Sequence, residues 1–369
     1  MTHTFLATAA FGLEGVAANE LKRMSIPARA ENGGARFEGT LLDAYRANLC
    51  LRTADRVLMV LAEEKAVTFE ELFQLISRIP WEKYLTKDAS IHVSGKCVRS
   101  RLMSVRDCQS ISKKAIVQRL MQKLRVNRLP ETGCEYPIDV AVVNDTVRVT
   151  LDMSGDALNR RGYRTWNGEA PLRETLAAAL VDLSPWRRGM RLYDPCCGTG
   201  TLLIETAIKA IDRPAGIRRK FACEQYGFMP QAEMQQLKAE LLAGYDENAP
   251  FVIEGSDINP EALELSRRHI HQAGFEGRIH TRQQDLRTLN VPGEPGVFLI
   301  NPPYGERLSD QKSARELYRE IGLLLKRHPG WKLAAITADP AFERSFGRRA
   351  DKKRRLYNGR LECEYYLYY

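Results

Sequence analysis

No apolar run in these 369 residues approaches the roughly 18–20 needed for a membrane-spanning helix, which sets that class aside. The opening residues, Met1-Thr2-His3-Thr4, lack a basic segment, an apolar stretch and a small-residue cleavage site, so a cytoplasmic protein is expected. Eight cysteines occur, yet none forms a Cys-x-x-Cys pair and no histidine pair stands at zinc-finger spacing. No metal is expected, and the cysteines read as free thiols that act as small apolar residues. No repeat and no low-complexity tract is visible. Acid is nearly missing from one window: between Ser94 and Arg128 only Asp107 is negative.

That window holds Lys96, Arg99, Arg101, Arg106, Lys113, Lys114, Arg119, Lys123, Arg125 and Arg128, and so carries the whole net charge of +9. A polyanion is the natural partner, and the serines and glutamines between the cations suit phosphate contacts. A solvated helix face is the plainer reading. The remaining composition, 44% hydrophobic and 27% charged, describes a globular chain, and the length calls for two or three domains.

The first part reads as two small α+β units. A strand at Thr4–Ala9, a helix over about 13–24, a hairpin around Asn32-Gly33-Gly34, a helix at 41–49 and a strand near 56–61 give a β-α-β-β-α-β order, the split βαβ arrangement. In the second unit Thr68 and Glu71 form a capping box that opens a helix towards Ile79, and Pro80 ends it. A strand at 90–96, a basic helix at 104–124 and a hairpin around Asn144-Asp145 follow. Near Ser154-Gly155-Asp156 the pattern changes to alternating strand and helix, which predicts a parallel sheet covered on both faces. Its strands are expected at 190–194, 251–257, 278–284, 297–300 and 332–337, and its helices at 201–211, 260–273 and 313–327. Asn358-Gly359 between two β-rich arms predicts a closing hairpin.

Asp194-Pro195-Cys196-Cys197-Gly198-Thr199-Gly200 joins a strand to a helix. Its glycines let a ligand approach the backbone, and the helix start offers free N–H groups. Nucleotide loops and plain tight turns share that pattern. Asp257, ending the next strand, suits two ribose hydroxyls, with a helix N-cap before Pro260 as its structural alternative. The long segment 212–249 between loop and acid weakens a nicotinamide reading. Asp285 ends the third strand and is placed to accept from an adenine amine, or is simply an exposed acid.

Asn301-Pro302-Pro303-Tyr304 follows the apolar strand 297–300 and is the specific part. Two prolines stiffen the turn and remove two donors, leaving carbonyls free to accept. A planar base amine is a poor nucleophile because its lone pair is delocalised. If the Asn301 side-chain oxygen and the Pro302 carbonyl each accept one amine N–H, the lone pair turns towards a methyl donor. Tyr304 can stack on the base, a contact worth about 1–3 kcal/mol. Loop, acid and tetrad together indicate S-adenosylmethionine as cofactor and an exocyclic amine as acceptor.

These residues, with Gly305-Glu306-Arg307-Leu308, Arg161-Gly162-Tyr163-Arg164 and the run Ala170-Pro171-Leu172-Arg173-Glu174-Thr175, resemble the bacterial THUMP-domain RNA methyltransferases. The nearest branch makes N2-methylguanosine in large-subunit ribosomal RNA. Its members often carry the label of N6-adenine-specific DNA methylases, and relatives with a second fused methyltransferase domain are longer. The resemblance implies an α/β fold: a class I Rossmann-like methyltransferase domain at 156–369, preceded by an α+β ferredoxin-like domain at 1–65 and a THUMP domain at 66–155. It implies that Asp194, Gly198 and Gly200 line the methionine end of the cofactor, with Cys196, Thr199 and Ile258 in the same set. Asp257 would take the ribose, Asp285 the adenine, Thr175 the cofactor carboxylate, and Asn301, Pro302, Pro303 and Tyr304 the target base. RNA, above all ribosomal RNA, would meet Lys96, Arg99, Arg101, Arg106, Lys113 and Lys114. One departure is Thr199, where many relatives have serine; the hydroxyl is kept. A DNA adenine-N6 methyltransferase, a protein-glutamine methyltransferase and a non-catalytic RNA-binding protein are the competing readings.

Overall fold

The computed structural model describes residues 1–164, 172–304 and 308–369. Ala170, Pro171, Gly305, Glu306 and Arg307, all part of the resemblance, lie outside the described residues. Among the described residues no helix is long and apolar enough to cross a membrane.

The chain forms two units, and it passes between them more than once. The first comprises Met1–Ala9, Ala17–Leu158 and Arg219–Glu240; the second comprises Ala10–Val16, Asn159–Arg218 and Leu241–Tyr369. The elements of the N-terminal part are β1 (His3–Thr8), α1 (Glu14–Arg23), β2 (Ala28–Glu31), β3 (Gly34–Gly39), α2 (Leu41–Cys50) and β4 (Arg56–Lys65). They continue with α3 (Phe69–Arg78), β5 (Ser90–Val98), α4 (Val105–Leu124), β6 (Glu135–Val143) and β7 (Thr146–Asp152). Both helix and turn chemistry follow the residues. Thr68 Oγ1 accepts from the Glu71 N–H, and a Glu71 carboxylate oxygen accepts from Thr68, each at 3.2 Å, which closes the capping box of α3. Asn144 and Asp145 both take positive φ, the conformation a two-residue hairpin turn between β6 and β7 demands.

The seven strands make one sheet in the order β2-β3-β1-β4-β7-β6-β5. The split βαβ order appears as expected, but the two α+β units do not keep separate sheets. Strand β4 runs on to Lys65, past the expected end at Leu61, and residues 58–65 pair with β7. The expected strand was short because Glu63, Glu64 and Lys65 break the apolar alternation; they are exposed, so the pattern has nothing to report there. Residues 219–240, part of the long 212–249 segment between loop and acid, complete the core of this first unit. Tyr226 is buried and stacks on Tyr136 at 4.6 Å. Its hydroxyl donates to the Asp152 carbonyl at 2.6 Å.

The second half adds α5 (Glu174–Leu183), β8 (Leu192–Asp194), α6 (Thr201–Ala210), α7 (Gln231–Ala243) and β9 (Ile253–Asp257). Then come α8 (Pro260–Ala273), β10 (Ile279–Gln283), β11 (Val297–Ile300), α9 (Leu308–Arg327) and β12 (Lys332–Thr337). The chain closes with α10 (Phe342–Phe346), β13 (Lys352–Asn358) and β14 (Leu361–Tyr368). The sheet order is β10-β9-β8-β11-β12-β14-β13. Strands β8 to β12 are parallel, and the terminal hairpin joins antiparallel through β14. This is the predicted architecture, with β8, β9 and β10 shorter than expected and α9 starting at Leu308 instead of 313. Helices α7 and α10 were not anticipated.

Candidate active site

The order of the parallel strands reverses at β8, which has β9 on one side and β11 on the other. In open α/β sheets, ligands bind beyond the carboxyl ends of the strands at such a switch point. Asp194 ends β8, Asp257 ends β9, Asp285 follows β10 and Asn301 follows β11. The topology therefore brings four separately predicted segments to one edge.

Asp194 is 1% exposed, and its Oδ1 accepts from the Cys196 N–H at 3.0 Å. Burial pushes its carboxyl well above the usual range; the Cys196 N–H opposes this and the charge of Asp257 adds to it. Asp257 Oδ2 accepts from the Gly198 N–H at 2.8 Å and Oδ1 from Asn259 at 2.9 Å. The N-cap of α8 is Asn259, whose side chain accepts from Glu261 and Ala262. Asp257 is thus relieved of the capping role, and each of its oxygens keeps a lone pair for a hydroxyl.

The loop is shaped around glycine. Gly198 has φ +49° and open space where a Cβ would stand; Gly200 has φ +83°, and a Cβ there would meet Ser266 Oγ at 2.5 Å. Gly255, in β9, would meet Leu203 and Cys197 at under 3 Å. Nothing in the sequence pattern marked Gly255. The same holds for His269, whose Nδ1 donates to the Thr199 carbonyl at 3.1 Å, since a carbonyl oxygen can only accept. The Arg161–Arg164 motif ties the first turn of α6: Arg164 donates to Thr201 Oγ1 at 2.7 Å, and Tyr163 to the buried Glu205 at 3.0 Å.

A cavity of about 510 Å³ opens at this edge, a size suited to a nucleoside-like ligand. Pro195, Cys196, Asp257, Ile258, Asp285 and Pro303 line it, together with one side of α9 at Glu316, Arg319 and Glu320. Ile258 is 63% exposed, an apolar surface free to cover a flat ring. Asp285 caps the short turn after β10, and its carboxylate takes the Arg287 guanidinium at 2.6 Å, which holds it below the usual carboxylate range. An adenine amine would compete with Arg287. Thr175 is buried on α5 and does not line the cavity.

The tetrad is pinned from both ends. Tyr304 Oη donates to Asn301 Oδ1 at 2.6 Å, and Tyr318 Oη donates to the Pro303 carbonyl at 3.1 Å. Tyr318 is fully buried and bonded to Thr337 at 3.0 Å. Burial raises the Tyr304 hydroxyl above its ordinary range, so it remains a donor. The sequence singled out Tyr304 for stacking; its bond to Asn301 was not foreseen.

The basic window divides between two faces. Cys97 faces α4, where its Sγ lies 3.8 Å from Cys108. Its neighbour Lys96 therefore points to the opposite side of the sheet, into a groove with His92 and Asp139. Arg99, Arg101, Arg106 and Lys114 are exposed on the loop and on α4. Lys113 pairs with Glu131 at 2.9 Å, and Arg119 with Glu82 at 2.8 Å.

The family model for the RMKL-like methyltransferase domain matches residues 161–366. The chain belongs to this family. An RlmL ferredoxin-like domain matches 4–58 and a THUMP domain matches 66–152, in line with the fold described above. Among curated relatives, a Bacillus subtilis protein named "Putative RNA methyltransferase YpsC" is 38% identical over 100% of this chain and 96% of its own. A Methylococcus capsulatus protein named ribosomal RNA large subunit methyltransferase K/L is 36% identical over 100% of this chain and 51% of its own. The RMKL-like chain spans about half the length of relatives of that second kind. Solved structures also cover all of it, two of which are the following. One, from Listeria monocytogenes, is named a predicted N6-adenine-specific DNA methylase, with 41% identity, TM-score 0.94 and 96% of its own chain covered. The other is named "SMU.472, a putative methyltransferase complexed with SAH", with 36% identity, TM-score 0.96 and 98% of its chain covered.

Proposed function

We propose that this protein methylates an exocyclic base amine of RNA, with guanine N2 in large-subunit ribosomal RNA as the target. S-adenosylmethionine is the methyl donor and supplies a methyl group activated by its sulfonium. The chain's own residues bind and orient. Asp257 holds the ribose hydroxyls; Ile258 and Asp285 face the adenine; Asp194 and the loop at Cys196, Gly198, Thr199 and Gly200 take the methionine end. A cationic amine beside Asp194 would find the one buried carboxylate on that loop whose ionisation it can restore.

The observation that carries the reading is the pinned Asn301–Tyr304 turn at the switch point. Tyr304 occupies one lone pair of Asn301 Oδ1, and the second is open to an amine N–H. The Pro302 carbonyl takes the other N–H, and the two bonds set the nitrogen lone pair towards the donor. Orientation of this kind replaces a general base, because the proton can leave after transfer. Exposed cations at Arg99, Arg101 and Arg106 favour a nucleic acid over a protein substrate, and the YpsC and K/L names are those of RNA enzymes. An enzyme of that kind works in the cytoplasm.

The test is methyl transfer from radiolabelled S-adenosylmethionine to RNA from cells lacking the protein, followed by nucleoside mass spectrometry. N2-methylguanosine is the expected product. Label in duplex DNA, the substrate in the name of the Listeria relative, or in a glutamine side chain would replace this reading.

A further inference from the structure

The outer edge of the second unit's sheet holds a basic surface that the first window conceals. Between Arg348 and Arg360 stand seven cations and one acid. Strand β13, last in the sheet, carries four of them in a row, Lys352 to Arg355, all exposed. Acids elsewhere cancel this charge in the total, so window 94–128 accounts for the whole net charge only by arithmetic.

An edge strand uses charge to discourage pairing with another chain, and lysine is the residue most used for that. Here five of the seven are arginines, whose planar fork suits phosphate oxygens. Local partners take some of the charge: Arg348 pairs with Asp351 at 2.8 Å, Lys353 with Glu343 at 2.8 Å and Arg355 with Glu362 at 3.2 Å. Among the described residues Arg349, Lys352 and Arg360 form no ion pair within 4.0 Å, although Arg349 acts at longer range on Glu343.

Two further observations point to a ligand. Phe11 is 61% exposed and meets Tyr357 of β13 edge-on at 5.5 Å. Aromatic rings beside a basic strand are how single-stranded nucleic acid is held without regard to sequence. The hairpin also reaches the tetrad, since the Tyr304 hydroxyl lies against Asn358 and Cys363. One β-hairpin therefore joins a run of cations to the turn that receives the target base.

We propose that the β13–β14 hairpin, with Phe11, is a second RNA-binding surface that grips the backbone flanking the target nucleotide. The proposal rests on RNA being the substrate. A base must leave its stack to reach Asn301, and phosphates held beside the turn keep the flanking strand in place while it does.

The full chain with Arg349→Glu, Lys352→Glu and Arg360→Glu combined tests this; none of the three belongs to the tetrad or the cofactor cavity. Fluorescence anisotropy with a labelled single-stranded RNA of mixed sequence is read over a salt series. Affinity is expected to fall by about ten-fold or more, and the salt slope by about 2, for three lost contacts. In methyl transfer, KM for RNA rises while kcat and the calorimetric Kd for S-adenosylmethionine stay unchanged. The corresponding glutamine variant, with a melting curve, guards against a folding defect. Unchanged RNA affinity and salt slope overturn the proposal, and self-association of the variant would then assign the charges to edge protection. Wild-type protein that labels DNA or protein but no RNA removes the substrate reading itself, a separate outcome.

Discussion

Both sheets have seven strands, and they use them in opposite ways. In the first unit the strands are antiparallel except for β5 and β6, so successive strand ends alternate between two edges. Chemistry-bearing residues are scattered accordingly, and what the unit offers a partner is surface charge at 99–114. In the second unit five parallel strands deliver their carboxyl ends to one edge. Asp194, Asp257, Asp285 and Asn301 arrive together although they are far apart in sequence. Parallel topology concentrates a site; antiparallel topology spreads a surface.

That division can be broken experimentally. Asn301→Ala should lower kcat by at least about 100-fold, the scale of a misplaced reacting group. RNA affinity and cofactor affinity should hold, and a lost cofactor affinity would move the tetrad into the cofactor site. Gly200→Ala combines a positive φ with a 2.5 Å contact to Ser266. About 2 kcal/mol of strain at this loop, within the range for such positions, corresponds to roughly thirty-fold weaker cofactor binding by calorimetry, with RNA affinity intact. Arg99→Glu with Arg101→Glu should do the reverse, cutting RNA affinity about ten-fold and flattening its salt dependence while the cofactor binds as before. If those two variants give the same profile, the units do not divide the labour.

The smallest effect sharpens the second unit alone. Asp194 has a folded pKa raised above its unfolded value, so its protonated form is favoured on folding, and its contribution to stability falls as pH rises through that interval. A bound cationic amine favours the ionised form and reverses this. Cofactor affinity should then rise with pH above the ordinary carboxylate range, with proton release that depends on the buffer in calorimetry. A flat profile in Asp194→Asn, against a sloped one in the wild type, assigns the effect to this carboxylate.

The parts of this architecture legible in advance are those in which local pattern and fold agree. Strands 297–300 and 332–337 were placed to the residue because Val297–Ile300 and the Leu333–Ile336 stretch of the second are buried, which makes two short apolar runs. The capping box at Thr68 and Glu71 and the turn at Asn144-Asp145 declare themselves through side-chain chemistry. Strand β4 was cut short because its last residues face solvent, where no hydrophobic signal survives. Gly255, His269 and Tyr318 could not be read at all. Their importance comes from neighbours distant in sequence: a Leu203 side chain, a Thr199 carbonyl, a Pro303 carbonyl. The shape of the cavity wall contributed by α9 is of the same kind, since Glu316 and Glu320 look like any solvated helix face until the sheet puts a cavity beside them.

The placement of residues 219–240 in the first unit has a consequence for how the protein is made. Its last strand ends at Asp152, but the segment that stacks Tyr226 on Tyr136 is synthesised only after Arg218. At ribosomal rates of about 5–20 residues per second, that interval lasts roughly 3–13 s. Throughout it the nascent sheet holds an aromatic face with no cover. The first unit is thus born before it can be finished, and a chaperone has a defined window in which to attend to it.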